Sequence, residues 1–154
     1  VVKINQRDHA QGHIIPDLRA LLALGLPGLR ERAAAGQGDL HRAAVIALDG
    51  LRDFALRYAE LAADPGLATV CRAAAERPPT TLREALQLIW FVFTGLHAES
   101  NASSFSLGRL DLILHRLYQD DLAAGRLDRD GAAALLAAFF IKCNEIVYLR
   151  NPGR

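Results

Sequence analysis

The stretch "TLREALQLIWFVFTGLH", Thr81 to His97, constrains this chain more than any other. Thr81 and Glu84 stand in capping-box register, so a helix is expected to begin there. Leu82, Leu86, Ile89, Trp90 and Phe93 then recur at helical spacing, and Phe91 and Val92 carry apolar surface onto the opposite side. A helix apolar on most of its circumference has to be covered from every direction. The chain therefore has to wrap other elements around this one, as the interior helix of a domain larger than these residues supply.

The flanking pattern is helical too. Pro16 suits the first turn of a helix that runs through Leu18, Leu21 and Leu22, with Gly25 and Pro27-Gly28 as its punctuation. The residues at 33–39 are expected to form a loop. Asp39 is placed to cap a long helix reaching about Ala62, with Ala43, Ile46, Ala47, Phe54 and Leu61 on one face. Asp64-Pro65-Gly66 ends it, and a short helix from Leu67 to Ala75 is closed by Pro78-Pro79. A last helix is expected over Gly131 to Leu149, capped by Asp128, with Leu135, Leu136, Phe139, Phe140, Cys143, Ile146 and Val147 inward. Val1 to Asn5, apolar and β-branched, is expected to be a short strand. The fold class expected is thus mainly α with one or two short strands.

Composition narrows the function. Of 154 residues, 51% are hydrophobic, which gives a globular chain with a real core. Eighteen basic residues nearly balance seventeen acidic ones without a basic stripe, which argues against nucleic acid. The apolar run Leu88 to Phe93 is far too short to span a bilayer. Cys71 and Cys143 lack CxxC spacing, so neither a zinc site nor a disulfide framework is indicated, and a cytoplasmic setting is expected. There is no methionine, even at position 1, and the sequence stops at "LRNPGR"; both suggest a piece of a longer protein.

Few side chains propose chemistry by themselves. His9 and His13 have the four-residue spacing of a helical zinc pair, but Gly12 and Pro16 argue against a helix there. A solvated loop is the better reading, with His13 as a pocket residue the other alternative. Between the apolar helix and "LILHRLY" lies "ESNASSFSLGRLD", unusually rich in small hydroxyls. Ser103, Ser104 and Ser106 read most simply as a loop and helix cap, and Arg109 with Asp111 as a structural ion pair. His41, His97 and His115 read as surface or satisfied core histidines. No Ser-His-Asp order or phosphate-cradling glycine loop stands out.

Taken in order, three segments resemble one family. "GHIIPDLRALLALGLPGL", "PPTTLREALQLIWF" and "ESNASSFSLGRLDLILHRLYQDDLAAGRLDRDGAAALLAAFFIKCNEI" resemble corresponding stretches of glycyl radical enzymes, the pyruvate formate-lyase superfamily. Each motif is weak alone; the ordered set, spread over nearly the whole chain, is specific. The resemblance implies that residues 1–154 are part of one pyruvate formate-lyase-like domain built on a ten-stranded α/β barrel, and that the hydroxyl-rich segment is a barrel strand facing substrate. It implies that His13, Ser103 and Ser104 contact substrate hydroxyls.

It further implies a full-length enzyme, homodimeric, that carries a glycyl radical installed by a radical-SAM activating enzyme and is either a lyase cleaving C–C, C–O or C–N bonds of a small polar substrate or a formate acetyltransferase. No metal or directly bound cofactor is implied. The chain departs from the pattern at Ala102 and Ser103, where the family has Gly-His, and at Leu112, where it has glutamine. Pyruvate formate-lyases have arginine where His13 stands, while "EIVYLRNPGR" is closer to them than to the diol dehydratases. The radical-bearing cysteine and glycine loops have no counterpart here, so the chain alone is expected to be inert. The competing reading is an autonomous helical scaffold or oligomerisation module.

Overall fold

The computed structural model describes residues 14–99 and 105–145. Among the described residues six helices follow in order: α1 (Leu18–Ala34), α2 (Asp39–Leu61), α3 (Pro65–Glu76), α4 (Leu82–Glu99), α5 (Leu110–Ala123) and α6 (Arg129–Asn144). The expectation of one or two short strands is corrected: no strand occurs among the described residues. Of the hydroxyl-rich segment expected to be a barrel strand, the part that is described, from Phe105, is irregular, and Gly108-Arg109 turn the chain into α5. Among the described residues it forms one backbone hydrogen bond to a distant segment, whereas a strand needs a ladder of them. Val1–Asn5 lies outside the described residues.

The interior helix is α4. Leu82, Ala85, Leu86, Leu88, Ile89 and Phe91 are all buried, and α4 packs against every one of the other five helices. An apolar circumference is satisfied when partners surround it. Phe91 sits edge-on to Phe54 and Tyr58 of α2, with centroids 5.6 and 5.5 Å away. This is the tilted geometry that aromatic quadrupoles favour.

The start of α4 is tied down by polar groups from elsewhere in the chain. Thr81 Oγ1 accepts from Glu84 N at 3.2 Å, one half of the expected capping box. The Glu84 carboxylate does not close the other half on Thr81. It accepts from Thr80 N (2.8 Å) and takes both guanidinium nitrogens of Arg77 (2.9 and 2.6 Å). Leu82 N is left to Asp121 of α5, whose Oδ2 accepts it at 2.8 Å.

Helix α1 does not stop at its glycine. It kinks at Gly25, with φ +64°, and resumes through Pro27. A Cβ at Gly25 would come within 2.8 Å of Pro78 N and 2.9 Å of Arg77 C, so only glycine lets α1 pass this close to the α3–α4 linker. One cap stands where expected: Asp128 Oδ1 accepts from Gly131 N at 2.7 Å. Asp64, read as the end of α2, also caps α3, its Oδ1 accepting from Leu67 N at 2.6 Å. Asp39 is instead the first residue of α2, with Gly38 before it. The inward face of α2 is also rotated from the expected one. Ala55 and Ala59 are buried, while Ile46 and Leu61 face outward. Helix α2 carries apolar residues on two faces, and periodicity alone does not say which face meets α4.

Candidate functional site

His13, Ser103 and Ser104 lie outside the described residues, as does His9. Described residues one and two positions beyond His13 and Ser104 meet. Ser106 N donates to Ile14 O at 3.0 Å, joining the residue after His13 to the second residue after Ser104. Two positions on, Gly108 has φ +63°, and a Cβ there would lie 3.2 Å from Ile15 Cγ2. The left-handed turn at Gly108 thus carries the chain past Ile15 and into α5. Ser106 Oγ accepts from Gly108 N at 3.1 Å, which fixes the turn locally.

The end of α4 lies against the same segment. The His97 ring is 5.0 Å from that of Phe105 and 4.3 Å from that of Phe93. Its Nδ1 is 2.8 Å from Phe93 O. A carbonyl oxygen only accepts, so Nδ1 carries the proton and donates. Of the two sequence readings of His97, a surface or a satisfied core histidine, this bond agrees with the second. The sequence reading missed the contact with Phe105, for which neither helical spacing nor local motif gives a signal.

Arg109 and Asp111 form the expected ion pair, through Nε–Oδ1 at 2.8 Å and Nη2–Oδ2 at 2.6 Å. The guanidinium hydrogen bonds hold the Asp111 carboxyl down at about 2. Both side chains are exposed, so the pair orients the entrance to α5 and adds little stability. Cys71 and Cys143 are free, and burial pushes both thiols up, with Arg83 opposing weakly at Cys71. Neither is an activated thiolate. Among the described residues no group of three or more His, Cys, Asp or Glu is placed to hold a metal, and no helix is long and apolar enough to cross a membrane.

Two cavities flank α4. One of about 480 Å³ lies between α1, α2 and α4, walled by Leu18, Leu21, Leu48, Leu51 and Val92, with Asp17, Arg32 and His41 on its polar side. The other, of about 570 Å³, lies between α3, α4 and α6.

Comparison with known proteins identifies what these segments belong to. The family model described as pyruvate formate lyase-like matches residues 1–154. The (2S)-3-sulfopropanediol dehydratase of Klebsiella oxytoca is 28% identical over 92% of this chain, and the probable dehydratase YbiW of Escherichia coli is 30% identical over 90%. Among solved structures, a protein studied for 1,2-propanediol dehydration in Roseburia inulinivorans superposes with a TM-score of 0.81 at 27% identity over 92% of this chain. A glycyl radical enzyme from Archaeoglobus fulgidus superposes at 0.79 with 26% identity, also over 92%. The chain belongs to the pyruvate formate lyase-like family of glycyl radical enzymes, as a partial chain of that superfamily. It spans about a fifth of the length of these relatives, 20% to 22%.

Proposed function

We propose that residues 1–154 are part of a longer glycyl radical enzyme that eliminates water from a small polar, hydroxyl-bearing substrate, and that they supply part of its barrel wall and substrate pocket. The observation that carries the pocket is the Ser106 N–Ile14 O hydrogen bond, because it ties together the two segments that bear His13 and Ser103–Ser104. Dehydration is favoured over acyl transfer by the relatives matched over nine-tenths of the chain, which are a dehydratase and a probable dehydratase.

In this reading the radical chemistry is supplied by a cysteine and a glycine elsewhere in the longer polypeptide, after a radical-SAM activating enzyme has acted on it. The residues of this chain bind and orient. The His13 imidazole and the Ser103 and Ser104 hydroxyls hold substrate hydroxyls by directional hydrogen bonds, and a small misplacement of the reacting carbon lowers the rate steeply. Serine at 103, where the family has histidine, leaves a shorter donor and a roomier site. Histidine at 13 is a weaker clamp for a carboxylate than arginine, which fits a diol better than a keto acid. The full-length enzyme is a homodimer in this account.

The test is turnover of the full-length enzyme on a panel of 1,2-propanediol, glycerol, 3-sulfopropanediol and trans-4-hydroxy-L-proline, followed by His13→Ala and Ser104→Ala on whichever substrate is consumed. Each variant is expected to lose at least tenfold in kcat/KM with an unchanged glycyl radical yield. Unchanged kcat/KM in both variants overturns the pocket. Turnover of pyruvate and coenzyme A instead of the panel overturns the dehydratase.

A further inference from the structure

A serine hydroxyl turns about a single bond and reaches no further, so the places of the Ser103 and Ser104 hydroxyls are set by the backbone that carries them. The chain is anchored directly after Ser104. The Phe105 ring meets the His97 ring of α4 at 5.0 Å between centroids with the planes 74° apart, the edge-to-face geometry that aromatic quadrupoles favour. One residue on, Ser106 N donates to Ile14 O at 3.0 Å. The His97 ring is itself held: Nδ1 donates to Phe93 O at 2.8 Å, and the ring lies 4.3 Å from that of Phe93. Phe93, His97 and Phe105 are all half-buried. Phe105 is thus fixed, through His97, to the interior helix of the fold. Building α4 does not call for this contact. The buried side chains of that helix run from Leu82 to Phe91, and His97 stands in its last turn, past them.

We propose that Phe105 and His97 are positioning residues of the substrate pocket: their edge-to-face pair pins the segment that bears Ser103 and Ser104 to the end of α4, and so sets where those hydroxyls meet substrate. The inference rests on the pocket reading given above and adds to it two residues that act through the backbone. A displacement of about 1 Å at a site of this kind can cost on the order of a hundredfold in rate. A segment released from His97 has to be ordered by the substrate itself, so KM rises as well.

The experiment uses the full-length enzyme with Phe105→Ala, His97→Ala, the double variant and Phe105→Tyr. Hydrogen exchange at the Ser106 amide, read by peptide mass spectrometry, is expected to be at least tenfold faster in Phe105→Ala and His97→Ala than in wild type, and slower again in Phe105→Tyr, which keeps the ring. On the substrate consumed from the panel above, Phe105→Ala is expected to lose at least tenfold in kcat/KM, with a raised KM and an unchanged glycyl radical yield. Phe105→Tyr should recover most of that loss, and the double variant should lose no more than the larger single loss, because each single change already breaks the same contact. Unchanged exchange at Ser106 overturns the positioning whatever the activity. Faster exchange with unchanged kcat/KM makes the pair structural only and overturns it too, as does an additive loss in the double variant. If His13→Ala and Ser104→Ala lose activity while Phe105→Ala keeps it, the pocket stands and this inference alone falls. If none of the three loses activity, or no member of the panel is consumed, the reading it rests on falls and takes it along.

Discussion

Asp121 of α5 and Leu82 at the start of α4 are joined by a 2.8 Å hydrogen bond across 39 residues of sequence. The carboxylate is 1% exposed, and its other oxygen accepts from Arg126 Nε at 2.7 Å. A buried helix N-terminus has amide donors to satisfy, and here a distant helix satisfies one. Asp121→Ala leaves Leu82 N without that acceptor and Arg126 without its partner. It is expected to destabilise the protein by about 2–4 kcal/mol. Asp121→Asn keeps an acceptor oxygen and is expected to cost less. Urea midpoints at unchanged m-value measure the difference; equal stability of Asp121→Ala and wild type would remove this contact from the account.

Gly25→Ala is expected to destabilise by more than 2 kcal/mol, on the order of a positive-φ penalty plus an overlap with backbone. The overlap is with Pro78 N and Arg77 C, neither of which is the end of a flexible side chain. Gly38→Ala makes a useful control, since it shares the positive φ but meets nothing within 4 Å. Thermal melts of the two variants separate strain from collision: Gly25→Ala should show the larger fall in Tm.

The Glu84 carboxyl gives an acid-dependent stability. Burial pushes its pKa up, but the hydrogen bonds from Arg77 and from Thr80 N and Oγ1 outweigh it, leaving the pKa below the ordinary 4.5. A group whose pKa is lower folded than unfolded stabilises fully above the unfolded value, and that stabilisation is lost as pH falls through the folded one. Glu84→Gln is expected to be about 1–2 kcal/mol less stable than wild type at pH 7, where the half-exposed Arg77 limits the effect. The gap should shrink below about pH 4.5. Chemical denaturation of both proteins from pH 3 to 7 measures it, and a gap that widens in acid would reverse the sign argued here.

The helices were legible in the sequence because their signals are local. Thr81 with Glu84 and Asp128 three residues before Gly131 each mark a helix start within one turn. The burial of α4 was legible because its composition allows no exposed face. What escaped is non-local. Nothing in the sequence around Leu82 names Asp121, and nothing in α2 says that Ile46 faces outward while Ala55 meets the core. Gly25 reads as punctuation and turns out to be a kink, because its neighbour is the linker at Arg77–Pro78. The described end of the hydroxyl-rich segment, from Phe105, is no strand for the same reason: whether a segment becomes a strand depends on partners, and among the described residues Ile14 supplies a single bond. Of the candidate site, the ordered motifs pointed to the family, and the approach of Ile14 to Ser106 supports bringing His13 near Ser103 and Ser104.

The central claim is that these residues serve a radical enzyme whose radical is carried elsewhere in the polypeptide. The most direct measurement is the EPR spectrum after anaerobic incubation with a radical-SAM activating enzyme, S-adenosylmethionine and a reductant, taken for full-length protein and for residues 1–154 in parallel. The account predicts a glycyl doublet from the full-length protein and none from residues 1–154. A doublet arising from residues 1–154 alone, or its absence from full-length protein under conditions that activate a known relative, would contradict it.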